Sequence, residues 1–461
     1  MNPTLESNRR RSLPWALKVV IVLAALLVVL TLAFVIWRGS LASANSIRLR
    51  AIKAAGEPAS ARELNEWYEA VNNQENASLV WLDGIARLNP KLDKNQRTPW
   101  SRIKLPASGK RLSPSQLQEA EAIVAENQEP LALFRRATTM TKSRYPVDFS
   151  EGAFADHEHL SQIREAGRLL QLESLVHAQN GRSGDSIRSV QGILGVSRSL
   201  AQEPLLISQL VRAALDRFAI SSTERVLHLT VCTESQLAGL QAAFAAAETP
   251  NLSTRALVGE RATAITMLNS PQEMKLSTND LEATETSSLG LEEFGSPLMR
   301  PFFQRDLGFL LEAMDTNLAI SRLPDPEQFL ARTNLDAIES RARRGYYVMA
   351  GLILSSHTHN PGRDVAHRAR LRTAQTALAI ERHRLSNQGK LPASLSALVP
   401  KYLSAVPVDP FDGRPIRFKT KADGYVVYSI GPDLADNDGN PLPSGSRANE
   451  TPHDFPFVMA K

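Results

Sequence analysis

His159–Asn180 reads HLSQIREAGRLLQLESLVHAQN. Leu160, Ile163, Leu169, Leu170, Leu172, Leu175 and Val176 recur at the spacing of an α-helix with an apolar face. Gly181 marks its stop. A second helical pattern opens at Asp185 and runs through Val190, Ile193, Leu194, Val196 and Leu200. Pro204 interrupts, and Leu205–Leu229 continues. Upstream, Ser113-Pro114-Ser115-Gln116 combines an N-cap, a proline at the first helical position and a capping-box glutamine. Downstream, Thr233-Glu234-Ser235-Gln236 repeats the box before an Ala-rich helix that ends at Pro250. From about Glu63 to Asn387 the pattern is mostly helical. Such helices form antiparallel hairpins, each too thin to bury its own face, so they must stack around a shared core. No repeat near 34 residues is visible. The expected fold is mainly α.

Within this body, Ser277–Pro297 is polar and acidic and reads as a long loop, either an exposed insertion or a lid. Helices resume from Leu298 to Ser321 and from Glu327 to Ser356. Tyr346–Leu354 is strongly apolar but far too short to span a membrane, and is expected in the core.

Val19–Trp37 is different: nineteen residues without a charge. As a helix it spans about 28 Å, close to the roughly 30 Å of a bilayer core. Trp15 and Trp37 stand at its ends, where indole rings favour the interface, and Arg9-Arg10-Arg11 precede it. Ala42-Ser43-Ala44 has the form of a signal cleavage site. The apolar run is longer than a usual signal core, which favours an uncleaved transmembrane anchor. Arg38, Arg48, Arg50 and Lys53 nearly balance the basic residues before the span. The tight arginine cluster favours a cytoplasmic N-terminus. The expected location is the bacterial inner membrane, single-pass, with about 420 residues extracytoplasmic.

The chain has 461 residues with 53 Lys+Arg and 48 Asp+Glu. A length of this order suits two to four globular units at about 100–200 residues each. The basic pI near 9.3 is local in origin. Residues 1–60 hold eight basic and two acidic side chains, so the other 401 residues carry a net −1. This speaks against a nucleic-acid-binding body. The single cysteine, Cys232, excludes an intrachain disulfide framework and a multi-cysteine zinc site.

After Arg363 the character changes. A long helix over Val365–Asn387 ends at Gly389. Leu391-Pro392 and a short helix to Val399 follow, then Pro407-Val408-Asp409-Pro410-Phe411-Asp412-Gly413-Arg414-Pro415. Ile416-Arg417-Phe418 and Tyr425–Ile430 flank the turn Lys421-Ala422-Asp423-Gly424 and predict a β-hairpin. Gly431–Asn440 is an acidic loop. The order of these elements, over about Arg370–Phe457, resembles the C-terminal part of the major pseudopilin of type II secretion systems. That resemblance implies a small α+β module and a calcium site at Asp433, Asp436 and Asp438. The oxygen chemistry suits calcium, although the spacing is not that of an EF-hand. Two features depart from the family: no Gly-Phe-Thr-Leu-x-Glu motif precedes Val19, and more than 300 residues separate span and module. With Ala55-Gly56-Glu57-Pro58, Glu63-Leu64 and Glu75-Asn76-Ala77 after the anchor, the whole chain also resembles large, uncharacterised membrane-anchored bacterial proteins, which implies a topology but no activity. The expected organisation is a basic tail (1–18), an anchor (19–37), a helical body (38–362) and a pseudopilin-like module (363–461).

No catalytic constellation emerges. His157-Glu158-His159 and His357-Thr358-His359 have i, i+2 spacing, which points side chains to different sides of a helix, and surface or capping positions are expected. Gly195-Val196-Ser197-Arg198-Ser199 lacks the closing glycine of a nucleophile elbow. Cys232 reads as a small packed residue, Trp67, Tyr68, Trp81 and Trp100 as packing, and Asp409 and Asp412 as turn carboxylates bonding backbone N–H groups. The expected role is a membrane-anchored scaffold or interaction protein. It touches the bilayer through residues 19–37 and has protein partners, with type II secretion or pilus-like subunits as the candidates, and no nucleic acid. The alternative is an extracytoplasmic hydrolase or ligand-binding protein with its site in the helical body.

Overall fold

The computed structural model describes residues 14–88, 92–93, 97–249, 252–269, 300–355, 360–443 and 453–460. Arg9-Arg10-Arg11, Ser277–Pro297 and His357-Thr358-His359 lie outside them.

The chain opens with α1, Trp15–Ala54, then α2 (Ala61–Trp67), α3 (Ala77–Ala86), α4 (Pro99–Arg102), α5 (Pro114–Glu126) and α6 (Gln128–Thr138). The central run is α7 (Glu158–Gln179), α8 (Ser183–Ser199), α9 (Leu206–Leu229), α10 (Glu234–Ala247) and α11 (Leu252–Asn269). Next come α12 (Arg300–Ser321), α13 (Glu327–Leu330), α14 (Arg332–Arg344), α15 (Val348–Ser355) and α16 (Asn360–Ser386). Strands β1 (Arg417–Lys421), β2 (Gly424–Ser429) and β3 (Phe455–Ala460) form one antiparallel sheet in that order. The protein is therefore mainly α with a small C-terminal α+β part. Both capping boxes form, Ser113 with Gln116 and Thr233 with Gln236.

The hairpins stack as their connections dictate. Gly181 turns the chain at φ +74°. α8 then runs back along α7, with Ser186 bonded to Ser174 and Gly192 against Leu170. α9 returns parallel to α7, where Gly167 lets Leu215 approach and Gln171 reaches Ser221. α7 is more deeply placed than a one-faced helix would be: every residue from Leu169 to Ala178 is buried. Its polar residues survive there because each has a partner. Glu173 accepts from Arg135 at 2.9 Å and Ser189 at 2.7 Å, and Ser174 from Ser186.

α16 joins this core rather than standing apart from it. It lies antiparallel to α10, tied by Arg382–Glu234 at 2.6 Å at one end and Arg372–Glu248 at 2.7 Å at the other. Leu371, Leu378, Ile380, Tyr425, Val427 and Phe457 belong to the same apolar cluster as Leu169, Val190 and Leu215.

The nine-residue stretch Tyr346–Leu354 is not wholly core, which corrects the expectation. Only one face of the short α15 meets α12. Ala350 and Leu354 are buried, whereas Val348 and Leu352 are 63% and 66% exposed.

α1 is one unbroken helix of 40 residues. Its first half is apolar and exposed on all sides, and it is the one helix among the described residues long and apolar enough to cross a membrane. Its second half docks on the body. Trp37 meets Phe302 edge-on, Asn45 Nδ2 donates to the Gln304 carbonyl at 2.7 Å, and Arg48 donates to Gly308 O at 2.6 Å. Gly56 ends it at φ +73°. Glu57 then pairs with the buried Arg261 and, at 3.1 Å, with Arg322. Thus Gly56-Glu57, Glu63 and Asn76 after α1 are joint residues. Glu63 accepts from Lys53 and Ala59 N–H, and Asn76 caps α3 while bonding Arg144.

Candidate functional site

The acidic loop of the C-terminal module folds over the β1–β2 hairpin. Asp436 accepts from the Tyr428 hydroxyl and from Asp438 N–H, both at 3.0 Å. Lys419 is ion-paired with Asp438 and lies 3.9 Å from Asp436. Burial works against the Asp436 carboxylate, but these hydrogen bonds and the Lys419 charge hold it below the usual range. Asp433 turns the other way, to Ala435 N–H and Asn437 Nδ2. Beneath the loop, the buried Asp454 accepts from Gly439 and Asn437 N–H groups. So Asp436 and Asp438 share one ammonium group, and Asp433 binds a backbone N–H and the Asn437 amide. Among the described residues no three His, Cys, Asp or Glu side chains converge as a metal site. A cation here would take over the role of Lys419.

Asp409 and Asp412 occupy turn positions that bond backbone N–H groups. Asp409 accepts from Phe411 N–H and Asp412 from Arg414 N–H. His159 departs from the surface expectation. It is buried, stacked on Tyr145 at 4.8 Å, with Nε2 3.1 Å from both carboxylate oxygens of the buried Glu203. Cys232 is buried and its thiol is pushed up to about 11 by desolvation, which suits packing and not nucleophilic attack. Tyr68, Trp81 and Trp100 are core residues. Trp67 packs at the edge of that core under Arg255.

A second polar site lies where α9 meets α16. Arg212 and Asp216 stand four residues apart on α9, both buried. Asp216 Oδ2 is 2.7 Å from His367 Nε2 on α16, and its Oδ1 has no partner. Arg212 donates to the Ala247 carbonyl, and its Nε has no partner. Around them, Arg368 pairs with Asp325 at 2.7 Å and Arg372 with Asp325 at 3.2 Å. The cavity between these groups holds about 50 Å³, room for a water or two and not for a substrate. The arrangement places a carboxylate and an imidazole within proton-transfer distance, but no serine, threonine or cysteine lines it as a buried nucleophile beyond Ser253 and Ser321 at its margin. Sequence reading passed over these residues. Their one local signal was a cation and an anion four apart on the apolar face of a mixed helix; His367 carried none, because its partner is 151 residues away.

No family model matches this chain, and no curated protein or solved structure matches it either.

Proposed function

We propose that this chain is a single-pass membrane-anchored scaffold of the bacterial inner membrane. In this reading its N-terminus is cytoplasmic and its body extracytoplasmic. The observation that supports it is the unbroken α1, exposed and apolar where it would cross lipid and bonded to α12 where it leaves it. A helical stack offers long surfaces for protein partners without special residues. The resemblance of Arg370–Phe457 to a pseudopilin points first to type II secretion or pilus-like subunits. It also carries a calcium proposal for Asp433, Asp436 and Asp438, with the metal displacing Lys419; a melting midpoint raised by calcium and restored by chelator is the expected result.

Crosslinking of the full-length protein in its native membrane, with mass spectrometry of what is attached, tests the scaffold reading. The expected result is secretion or pilus-like subunits crosslinked within Arg370–Phe457. Crosslinks confined to the protein itself would reject the reading. They would favour the alternative, an extracytoplasmic hydrolase or ligand-binding protein with its site in the helical body.

A further inference from the structure

Beside the Asp216–His367 contact, α9 and α16 line a second cavity of about 320 Å³ that opens to solvent. Leu210, Ala213 and Arg217 line it from α9, and Arg363, Ala366, His367 and Arg370 from α16. The spacing explains the set. Positions 210, 213 and 217 share one face of α9, and 363, 366, 367 and 370 share one face of α16. Alanines at the middle of both faces leave the seam open. Toward its ends stand Leu210 and the three arginines.

The charge in this cavity is all of one sign. Elsewhere on α16 the arginines are paired: Arg368 with Asp325, Arg372 with Glu248, Arg382 with Glu234 and Arg384 with Glu381. Among the described residues, Arg217, Arg363 and Arg370 have no carboxylate within ion-pair distance. Arg370 lies over the Phe455 ring at 3.6 Å, and its one hydrogen bond is to the Ala366 carbonyl at 3.3 Å. Its pKa is pushed down to about 9, first by desolvation and then by the charge of Arg217. His367 Nε2 engages one oxygen of the neighbouring Asp216, which acts on Arg217 only through its charge and forms no ion pair with it. Arg217 and Arg363 are exposed to solvent, so an anion can reach them, and the desolvated Arg370 beside the Arg217 charge opposes folding unless an anion completes the site. Guanidinium forks match the oxygens of a phosphate, and a dianion answers several arginines better than a single carboxylate does. The cavity exceeds a phosphate ion in size, leaving space for part of the group that bears it.

We propose that the cavity between α9 and α16 is a phosphate-binding site, with Arg217, Arg363 and Arg370 as its ligands, for a phosphorylated small molecule or a phospholipid headgroup. The proposal is independent of the scaffold reading.

The test uses the full-length protein in phosphatidylcholine nanodiscs, titrated with inorganic phosphate against chloride at matched ionic strength. A saturable rise in melting midpoint with phosphate alone is expected. Arg217→Gln and Arg370→Gln should each weaken the apparent affinity at least tenfold, while melting in chloride no lower than the parent, since each removes an opposed charge. Repeating the titration with phosphatidic acid in the nanodisc separates the sources. A headgroup ligand raises the midpoint by itself and abolishes the phosphate response; a soluble ligand leaves that response intact. A phosphate effect no larger than that of chloride in either lipid overturns the proposal, as does a response undiminished in both variants.

Discussion

At Asp409 one fully buried carboxylate accepts four donors: Phe411 N–H at 3.1 Å, Ile430 N–H and Ser429 Oγ at 2.9 Å, and Arg417 Nη1 at 2.8 Å. Burial raises its pKa, and these four donors and the Arg417 charge oppose the rise. The contacts sew the Pro407–Pro415 turn to the end of β2, so the residue is structural. Asp409→Ala should lower stability by about 3 kcal/mol, because it strands Ser429 and the Phe411 and Ile430 N–H groups together and leaves Arg417 with one carboxylate, Asp412. Denaturant melts would check this; a loss under about 1 kcal/mol would show the donors finding water instead. Half of this site was legible in advance. An aspartate between prolines reads as a turn carboxylate, and its bond to Phe411, two residues on, follows locally. Ser429 and Ile430 lie twenty residues away in sequence, across a hairpin, and no local rule connects them. A far longer separation, 151 residues, hid the Asp216–His367 contact.

Elements were read best where their signals are local. Both capping boxes, the stops at Gly181 and Gly389, and the β1–β2 hairpin closed at Lys421 and Gly424 all rest on a few adjacent residues. β3 was passed over, although Phe455, Phe457 and Met459 alternate inward, because it pairs with β2 across a long connection. Its outer edge is covered in an unusual way. Val458 N–H donates to Glu224 at 3.1 Å and Ala460 N–H to His228 Nε2 at 3.2 Å, so two side chains of α9 stand where a fourth strand would. Burial pushes Glu224 up to about 7. A carboxyl whose folded pKa exceeds its unfolded value stabilises below about pH 4.5 and loses that contribution as pH rises through 7. Glu224→Gln keeps the acceptor for Val458 and cannot ionise. Its midpoint should gain on the parent between pH 5 and pH 8, by on the order of 2 kcal/mol. Parallel pH curves for the two proteins would refute that assignment.

For the molecule as a whole, the long apolar helix and the helical stack were legible because hydropathy and helical period need no long-range information. Their junction was not: the sequence marks where apolar character stops at Trp37, but α1 continues to Ala54 with no break. A one-residue insertion between Arg38 and Ala42 would rotate the span by about 100° against the body, whereas seven residues, close to two turns, restore its bearing within about 20°. The single insertion should therefore abolish whatever crosslinks the native membrane yields, and the seven-residue insertion should recover most of them. Equal loss in both would mean that height above the lipid matters, and not azimuth. In the membrane-anchored reading proposed above, a span fused to its cargo in this way gives up the swivel that a loose tether allows. The body would then present one fixed bearing instead of sweeping the surrounding space for partners, and any pull on it would reach the lipid as tilt.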